Sequence, residues 1–364
     1  MGDARTLVAG LDVGGTKTLA VAVDPAALAA AAGTPWPEVP EGPEVGDGDA
    51  AATGVPGIVA TVRRPTGVGG GARLLASTVD ALRALARAAG TTVDGFAAVG
   101  VGVPGLVDRT AGTVRHAVNL ALDDTPVPIA GHLHAVARAP VVVDNDVNLA
   151  AVGAAVALGC RGDLAYLSIG TGLAAGLVLD GRIRHGAHGA AGEIGHLPID
   201  PHGPVCECGQ RGCLEAVASG TAIAARWPSD DGPLTAASSL LAAAAAGDPD
   251  ALVVLAEVGG HLAGAVALLA QTVDPAIVVL GGGVAEAGPS LLTAVRDALR
   301  SRAARSPVLA AIHLADRVAL VPRGIPAGAV GAAVLARRQA APGAASPAPE
   351  PQVTASDAVA SDTS

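Results

Sequence analysis

The stretch TLVAGLDVGGTKTLAVAV, residues 6–23, has the pattern of an apolar strand, a glycine turn and a returning strand. Apolar β-forming residues on both sides of a glycine pair are typical of a β-hairpin. A P-loop is the obvious alternative, but Thr16 separates Gly15 from Lys17 and a strand follows the turn where a P-loop has a helix. We therefore predict a hairpin whose turn presents N–H groups and a hydroxyl to phosphate, with an ordinary tight hairpin as the alternative.

The same layout recurs at LAYLSIGTGLAAGLVLDGRI, residues 164–183. Apolar strands also occur at 140–146 and 276–288, each followed by a helical pattern. Strands alternating with helices indicate an α/β fold, and two halves that each begin with a hairpin suggest a duplicated architecture. Two equivalent glycine-threonine turns would grip a phosphate chain from both sides, as phosphoryl transfer requires.

Changes in composition divide the chain. We expect an N-terminal α/β lobe over 1–142, completed by a closing helix at 328–340, and a C-terminal α/β lobe over 143–327. Residues 25–56 shift to Ala, Pro, Glu and Gly without an apolar period, which indicates a loop insertion. Residues 341–364 have no core pattern and are expected to be disordered.

Charge and hydropathy exclude several classes of protein. The formal net charge is −10 and no basic run occurs, so binding to nucleic acid or to an anionic membrane is not expected. We find no apolar stretch long enough to span a membrane and no signal peptide, and we expect a cytoplasmic protein. Aromatic residues are scarce, so a ligand must be recognised mainly by hydrogen bonds and charges.

The DND sequence at 144–146 ends a buried strand and begins a helix. A helix N-terminus favours an ionised carboxylate, so Asp146 is a candidate catalytic base, with a simple helix cap as the alternative. Gly100, Gly102 and Gly105 match the dinucleotide-binding glycine pattern, but Pro104 lacks an N–H and no helix pattern follows.

The sequence EIGH at 193–196 precedes a cysteine run, CECGQRGC, at 206–213. Three cysteines and one histidine are the ligand set of a closed structural zinc site, in which the metal shapes the protein and performs no chemistry. His196 is the first candidate for the fourth ligand and His202 the second. Three unligated thiols are the alternative.

Seven segments occur in one order between residues 7 and 338: DVGGTKT, GVPGLVD, DNDVNLAA, GTGLAAG, GEIGH, CECGQRGCLE and VLGGGVAEAG. Together they resemble the ROK family of sugar kinases and sugar-responsive repressors. The resemblance implies the two-lobed, duplicated actin-like ATPase fold (ribonuclease H-like, shared with hexokinase) with a zinc-binding loop. It also implies a hexose kinase that uses ATP, Mg²⁺ and a structural Zn²⁺, and that forms a homodimer or higher homo-oligomer.

The resemblance also assigns roles by position, with Asp146 as the general base. The sugar-binding residues it implies are Gly105, Asn119, Asn145, Glu193, His196 and Glu215. The phosphate, magnesium and nucleotide contacts it implies are Asp12, Gly14, Gly15, Thr16, Lys17, Gly170, Thr171, Gly172, Gly281, Gly282 and Gly283. The zinc ligands it implies are His196, Cys206, Cys208 and Cys213. Ala174, Ala175 and Val118 depart from the family pattern.

Glucose phosphorylated at O6 is the first expectation for the substrate. N-acetylglucosamine, N-acetylmannosamine, mannose and fructose are alternatives, as are a non-catalytic sugar sensor and a zinc-organised interaction protein. The hairpin begins near the N-terminus of the sequence, so we expect no winged DNA-binding domain. Since Glu193 and Glu215 flank the cysteine run and the phosphate turns do not, we expect zinc to support sugar binding more than nucleotide binding.

Overall fold

The computed structural model describes residues 7–27, 55 and 57–340. The strands are β1 (Val8–Val13), β2 (Lys17–Val23), β3 (Ile58–Pro65), β4 (Ala98–Val103), β5 (Leu106–Asp108), β6 (Thr113–Arg115), β7 (Val141–Asn145), β8 (Leu164–Ile169), β9 (Leu173–Leu179), β10 (Arg182–Ile183), β11 (Ile277–Gly281) and β12 (Val318–Leu320). The α-helices are α1 (Gly71–Ala88), α2 (Ile129–Ala137), α3 (Asp146–Ala157), α4 (Leu214–Ala218), α5 (Gly220–Arg226), α6 (Pro233–Ala245), α7 (Pro249–Val273), α8 (Pro289–Ala303), α9 (Pro307–Ala311) and α10 (Ala327–Ala340). Short 3₁₀ turns cover Val93–Gly95, Val118–Leu120, Ile194–His196, Ala285–Ala287 and Leu314–Arg317.

Two five-stranded sheets repeat one topology. The first has the order β3-β2-β1-β4-β7 and the second the order β10-β9-β8-β11-β12. In each, an antiparallel hairpin (β1–β2 or β8–β9) is followed by two parallel strands (β4 and β7, or β11 and β12). The duplicated α/β architecture that the two hairpins predict is therefore confirmed.

Two helices pack together between the sheets. Helix α3 follows β7 of the first sheet but packs mainly on β8 and β9 of the second, whereas α10 follows β12 of the second sheet and packs on β1 and β4 of the first. A methyl group on Gly331 would lie 1.8 Å from the Leu149 carbonyl oxygen, and one on Gly153 would lie 1.9 Å from the Ala327 carbonyl oxygen. Both positions require glycine because the two helix backbones approach so closely. The two helices therefore join the first sheet to the second.

Most of the remaining apolar residues form two outer cores. One packs α1 and α2 against the first sheet, and the other packs α6, α7 and α8 against the second. Helix α7 is 25 residues long and, by length and composition alone, apolar enough to cross a membrane, although we expected no such stretch. Half of its most apolar 18-residue part is buried inside the second lobe, which accounts for its apolar character.

Residues 25–27, predicted as the start of an insertion loop, are helical. The rest of that insertion, apart from Val55, and the tail at 341–364 lie outside the described residues. The predicted closing helix is α10, and it begins one residue earlier than expected, at Ala327. A lobe boundary at 142/143 stays a prediction.

Candidate active site and metal centre

Asp146 lies where β7 passes directly into α3. Its side chain is partly buried, and its Oδ1 accepts a hydrogen bond of 3.0 Å from the Val147 N–H. Burial raises the pKa of Asp146 to about 6, with the negative charge of Glu193 adding to the effect and the Val147 N–H opposing it. Such a carboxyl group is ionised at neutral pH and is more basic than an ordinary aspartate, which suits a general base.

Asp12, near the end of β1, is a second acidic group in this region. Burial and the charge of Asp146, opposed by Lys17, together raise its pKa to about 7. The carboxylate lies against the start of α10, where a methyl group on Gly328 would be 2.5 Å from Asp12 Oδ2. A bound cation stabilises the ionised form of a buried carboxylate that lies near a second negative charge. Carboxylate oxygen is also a ligand that Mg²⁺ prefers.

The sequence left open that Asp146 is a simple helix cap. In the structure the residue that caps α3 is Asn145. Its side-chain oxygen accepts hydrogen bonds from the N–H groups of Val147, at 2.9 Å, and Asn148, at 3.3 Å. This satisfies two of the N–H groups that a helix start leaves unpaired. The cap uses only the oxygen of the Asn145 amide, so it is compatible with the predicted contact between the Asn145 NH₂ group and a sugar hydroxyl.

The first glycine turn is a hairpin and not a P-loop. Gly14 donates its N–H to the Lys17 carbonyl oxygen at 2.9 Å, and Thr16 and Lys17 are exposed. A methyl group on Gly15 would lie 3.0 Å from the Asn119 carbonyl oxygen and 3.1 Å from Asn119 Cβ. The predicted phosphate turn and the predicted sugar-facing loop therefore pack directly against each other.

The rest of the predicted sugar-facing loop lies beyond β4. Gly105 adopts a φ of 103°, and a methyl group there would lie 2.8 Å from the Arg115 carbonyl oxygen, so glycine is required. Asn119 is exposed within the turn Val118–Leu120, and Val118 is 83% exposed. Asn119 is thus accessible to a ligand, and its role stays a prediction.

The second glycine turn has a partner that sequence reasoning missed. The Leu173 N–H donates to Glu215 Oε2 at 2.8 Å, and a methyl group on Gly172 would lie 2.4 Å from the same oxygen. Gly220 donates its N–H to the Gly170 carbonyl oxygen at 2.8 Å. The segment that follows Cys213 therefore holds the second turn, although that turn lies outside the cysteine run in sequence. That zinc supports sugar binding more than nucleotide binding stays a prediction.

The triple glycine at 281–283 lies beside this second turn. Val284 donates its N–H to the Ile169 carbonyl oxygen at 2.9 Å, immediately before Gly170. The first glycine of the three contacts Tyr166, since a methyl group on Gly281 would lie 2.1 Å from the Tyr166 hydroxyl oxygen. Burial raises the pKa of Tyr166 well above its usual value, and the charge of Asp12 adds to this. The tyrosine therefore stays protonated beneath the predicted nucleotide-binding residues, and no sequence pattern had indicated it.

Glu193 precedes the 3₁₀ turn Ile194–His196, and His196 is its last residue. Their carboxylate and imidazole approach to 3.9 Å. The loop that carries them lies along β9, because Ala175 donates its N–H to the Gly192 carbonyl oxygen at 2.8 Å. The charge of Glu193 also raises the pKa of Asp146, so the two carboxylates interact electrostatically.

The predicted metal ligands form one cluster. The ligand atoms of His196, Cys206, Cys208 and Cys213 all lie within 4.8 Å of one another, and all three cysteines are free thiols. Cys206 Sγ is 3.8 Å from His196 Nδ1, and Cys208 Sγ is 3.6 Å from Cys213 Sγ. Ligands about 2.3 Å from a tetrahedral zinc are separated by roughly 3.8 Å, so the cluster has the dimensions of such a site.

Two further observations bear on the ligand set. Hydrogen bonds from Gln210 lower the pKa of Cys208, whereas burial and the neighbouring thiols raise the pKa of Cys213, so Cys208 is the thiol of this pair that more readily gives the thiolate that binds metal. The alternative ligand His202 does not belong to the cluster. The donor set therefore fits a structural zinc ion with His196 as the fourth ligand.

The sequence model of the ROK family matches residues 66–339. A glucokinase of Halalkalibacterium halodurans is 35% identical over 63% of this chain and 74% of its own length. An N-acetylmannosamine kinase of Escherichia coli is 36% identical over 58% of this chain and 69% of its own. A xylose repressor of Caldicellulosiruptor bescii is 31% identical over 63% of this chain and 61% of its own.

Solved structures extend the similarity over almost the whole chain. A ROK hexokinase from Thermus thermophilus superposes with a TM-score of 0.64 at 30% identity, covering 91% of this chain and 98% of its own. A ROK family glucokinase from Streptomyces griseus, solved with glucose and AMPPNP, superposes with a TM-score of 0.66 at 28% identity, covering 91% and 99%.

Proposed function

Because the chain belongs to the ROK family, we propose that it is an ATP-dependent hexose kinase that transfers the γ-phosphoryl group to O6 of glucose. The observation that carries this proposal is Asp146, a carboxyl group with a pKa of about 6 at the start of α3. The similarity to proteins named glucokinase and hexokinase supports it.

In the proposed reaction, the sugar hydroxyl gives its proton to Asp146 as its oxygen attacks the γ-phosphorus. The new O–P bond forms while the bond from that phosphorus to the bridging oxygen breaks, and ADP leaves with the electron pair. The glycine turns at 14–17 and 170–172 would donate N–H groups to the phosphate oxygens. These hydrogen bonds would hold the phosphates in place and stabilise their negative charge, and both effects accelerate phosphoryl transfer.

The sugar would be oriented by groups that surround Asp146. We assign the Asn145 NH₂ group, the Glu193 carboxylate and the His196 imidazole to ring hydroxyls. Glu215 has one oxygen committed to the second phosphate turn, so its other oxygen is the one we assign to the sugar. This makes Glu215 a shared contact between the sugar and nucleotide sites.

Two metals complete the proposal. Asp12 would hold magnesium, which when bound neutralises charge on the phosphates. The Cys₃His cluster would hold a structural zinc that fixes the loop carrying Glu193 and Glu215. We also propose a cytoplasmic homo-oligomer, by analogy within the family.

A coupled assay of ADP release against a sugar panel tests the proposal. We expect turnover with glucose at a higher kcat/KM than with N-acetylglucosamine, N-acetylmannosamine, mannose or fructose. Asp146→Asn should lose most of this turnover. The N-acetylmannosamine kinase similarity makes acetylated sugars the second candidate, and a higher kcat/KM for one of them would replace glucose. Sugar binding by calorimetry without any turnover would favour a sensor, the role suggested by the similarity to a repressor.

A further inference from the structure

His185 follows a strand of the second sheet, but its side chain contacts β7 of the first sheet and a residue just beyond β5. It follows β10 in the second sheet, and its side chain is 16% exposed. Its Nε2 lies 2.8 Å from Asp144 Oδ2 in β7, and its Nδ1 lies 2.8 Å from Arg109 Nη1, just beyond β5. The imidazole therefore joins the segment after β10 of the second sheet to β7 of the first, close to the proposed base.

Asp144 is buried, with a side chain only 4% exposed. Its Oδ1 accepts hydrogen bonds from the Asn145 N–H at 2.7 Å and from the Asn148 side-chain amide at 3.4 Å, both within the β7–α3 junction. Its Oδ2 faces His185, which follows β10 of the second sheet. A buried carboxylate needs such partners, so loss of His185 would leave one of its oxygens without this hydrogen bond.

The partners of His185 assign its tautomer. The Arg109 guanidinium has only donors, so Nδ1 must accept from it. The Asp144 carboxylate accepts, so Nε2 must carry the hydrogen. One neutral tautomer satisfies both contacts and fixes the ring orientation, which gives this bridge a defined geometry.

His185 also begins the loop that carries the proposed sugar ligands. Its carbonyl oxygen accepts the Ala191 N–H at 3.1 Å, and the loop continues to Glu193 and His196. We infer that His185 is a positioning residue that, through Asp144, holds the sugar-binding loop 185–196 in register with Asp146. The inference rests on the proposed kinase function and adds a residue that the family resemblance did not assign.

The test is the steady-state kinetics of His185→Ala with sugar and with ATP. We expect kcat/KM for the sugar to fall about 10- to 100-fold, since small misplacements of reacting groups have effects of this size. The KM for ATP should change little, because the glycine turns make none of their described hydrogen bonds to His185. His188→Ala, which removes an exposed histidine three residues later in the same loop, is the matched control and should behave as wild type.

Two conservative variants separate positioning from general stabilisation. His185→Gln places an amide nitrogen near the Nε2 position and should recover most of the sugar kcat/KM, whereas His185→Asn reaches only the Nδ1 position and should not. The double variant His185→Ala with Asp144→Asn should lose no more sugar kcat/KM than the worse of the two single variants. Both substitutions break the same hydrogen bond, so their effects should not add. Thermal melts of each variant show whether it is folded.

Normal sugar kinetics in His185→Ala beside an active wild type would overturn this inference alone. Equal losses for sugar and ATP, in step with the melting temperature and without rescue by glutamine, would also overturn it. A folded wild type inert toward every sugar would overturn the proposed function and this inference with it.

Discussion

The substitution Asp146→Asn removes the proposed base and keeps the shape of its side chain. An asparagine oxygen can still accept the Val147 N–H, so the start of α3 should be preserved. Loss of a general base costs about 10²- to 10⁴-fold in rate, and we expect kcat to fall by that amount. In wild type, kcat/KM for the sugar should fall about tenfold per pH unit below about pH 6, where Asp146 becomes protonated.

The same variant should be more stable than wild type at neutral pH. Burial raises the pKa of Asp146 from 3.8 to about 6, so the folded protein binds this proton more tightly than the unfolded chain does. Wild type therefore loses stability as pH rises between those two values, and the full cost is present above them. A shift of about two units corresponds to roughly 3 kcal/mol, an upper bound because the group is partly exposed. The neutral asparagine avoids this cost.

Urea denaturation followed by circular dichroism measures this difference. We expect a higher midpoint for Asp146→Asn at pH 7.5 and a gap that closes towards pH 4, without added magnesium, nucleotide or sugar, since these would stabilise the folded state by binding. Asp80→Asn, at an exposed site in a weak surface ion pair, is the matched control and should change little. A midpoint below that of wild type at pH 7.5 would refute the raised pKa, and near-normal kcat would refute the role as base.

Three further predictions concern the loops around this group. Elemental analysis should find about one zinc per chain, lost in Cys208→Ser, and metal-free active protein would contradict the zinc site. Glu215→Ala should weaken ATP affinity as well as sugar affinity in calorimetric titrations, because its carboxylate accepts the Leu173 N–H; unchanged ATP affinity would show that this contact does not matter. Gly15→Ala should raise KM for both substrates in the ADP-release assay, since the added methyl group would displace Asn119, and unaltered KM values would disprove the coupling of these two loops.

Local patterns in the sequence determined the elements and much of the site. The two glycine-threonine hairpins, the strand-to-helix junction at Asp146 and the cysteine run each lie within a short segment, so neighbouring residues specify them. Their order indicated the family, and the Cys₃His spacing indicated the cluster that the structure brings together.

Only the tertiary structure decided how these segments contact one another. The hydrogen bonds from Leu173 to Glu215 and from His185 to Asp144 join residues that are 42 and 41 positions apart. No periodicity or spacing in the sequence predicts either pair. The first bond lies within the second lobe, where α4 packs on β9. The second bond exists because α3 and α10 each follow one sheet and pack on the other, which brings the loop after β10 to the end of β7. The pKa of Asp146 has the same origin, since the burial that raises it comes from elements distant in sequence. A sequence specifies which carboxylate ends a strand, but the dielectric environment and neighbouring charges that set its basicity arise only when both lobes pack around it.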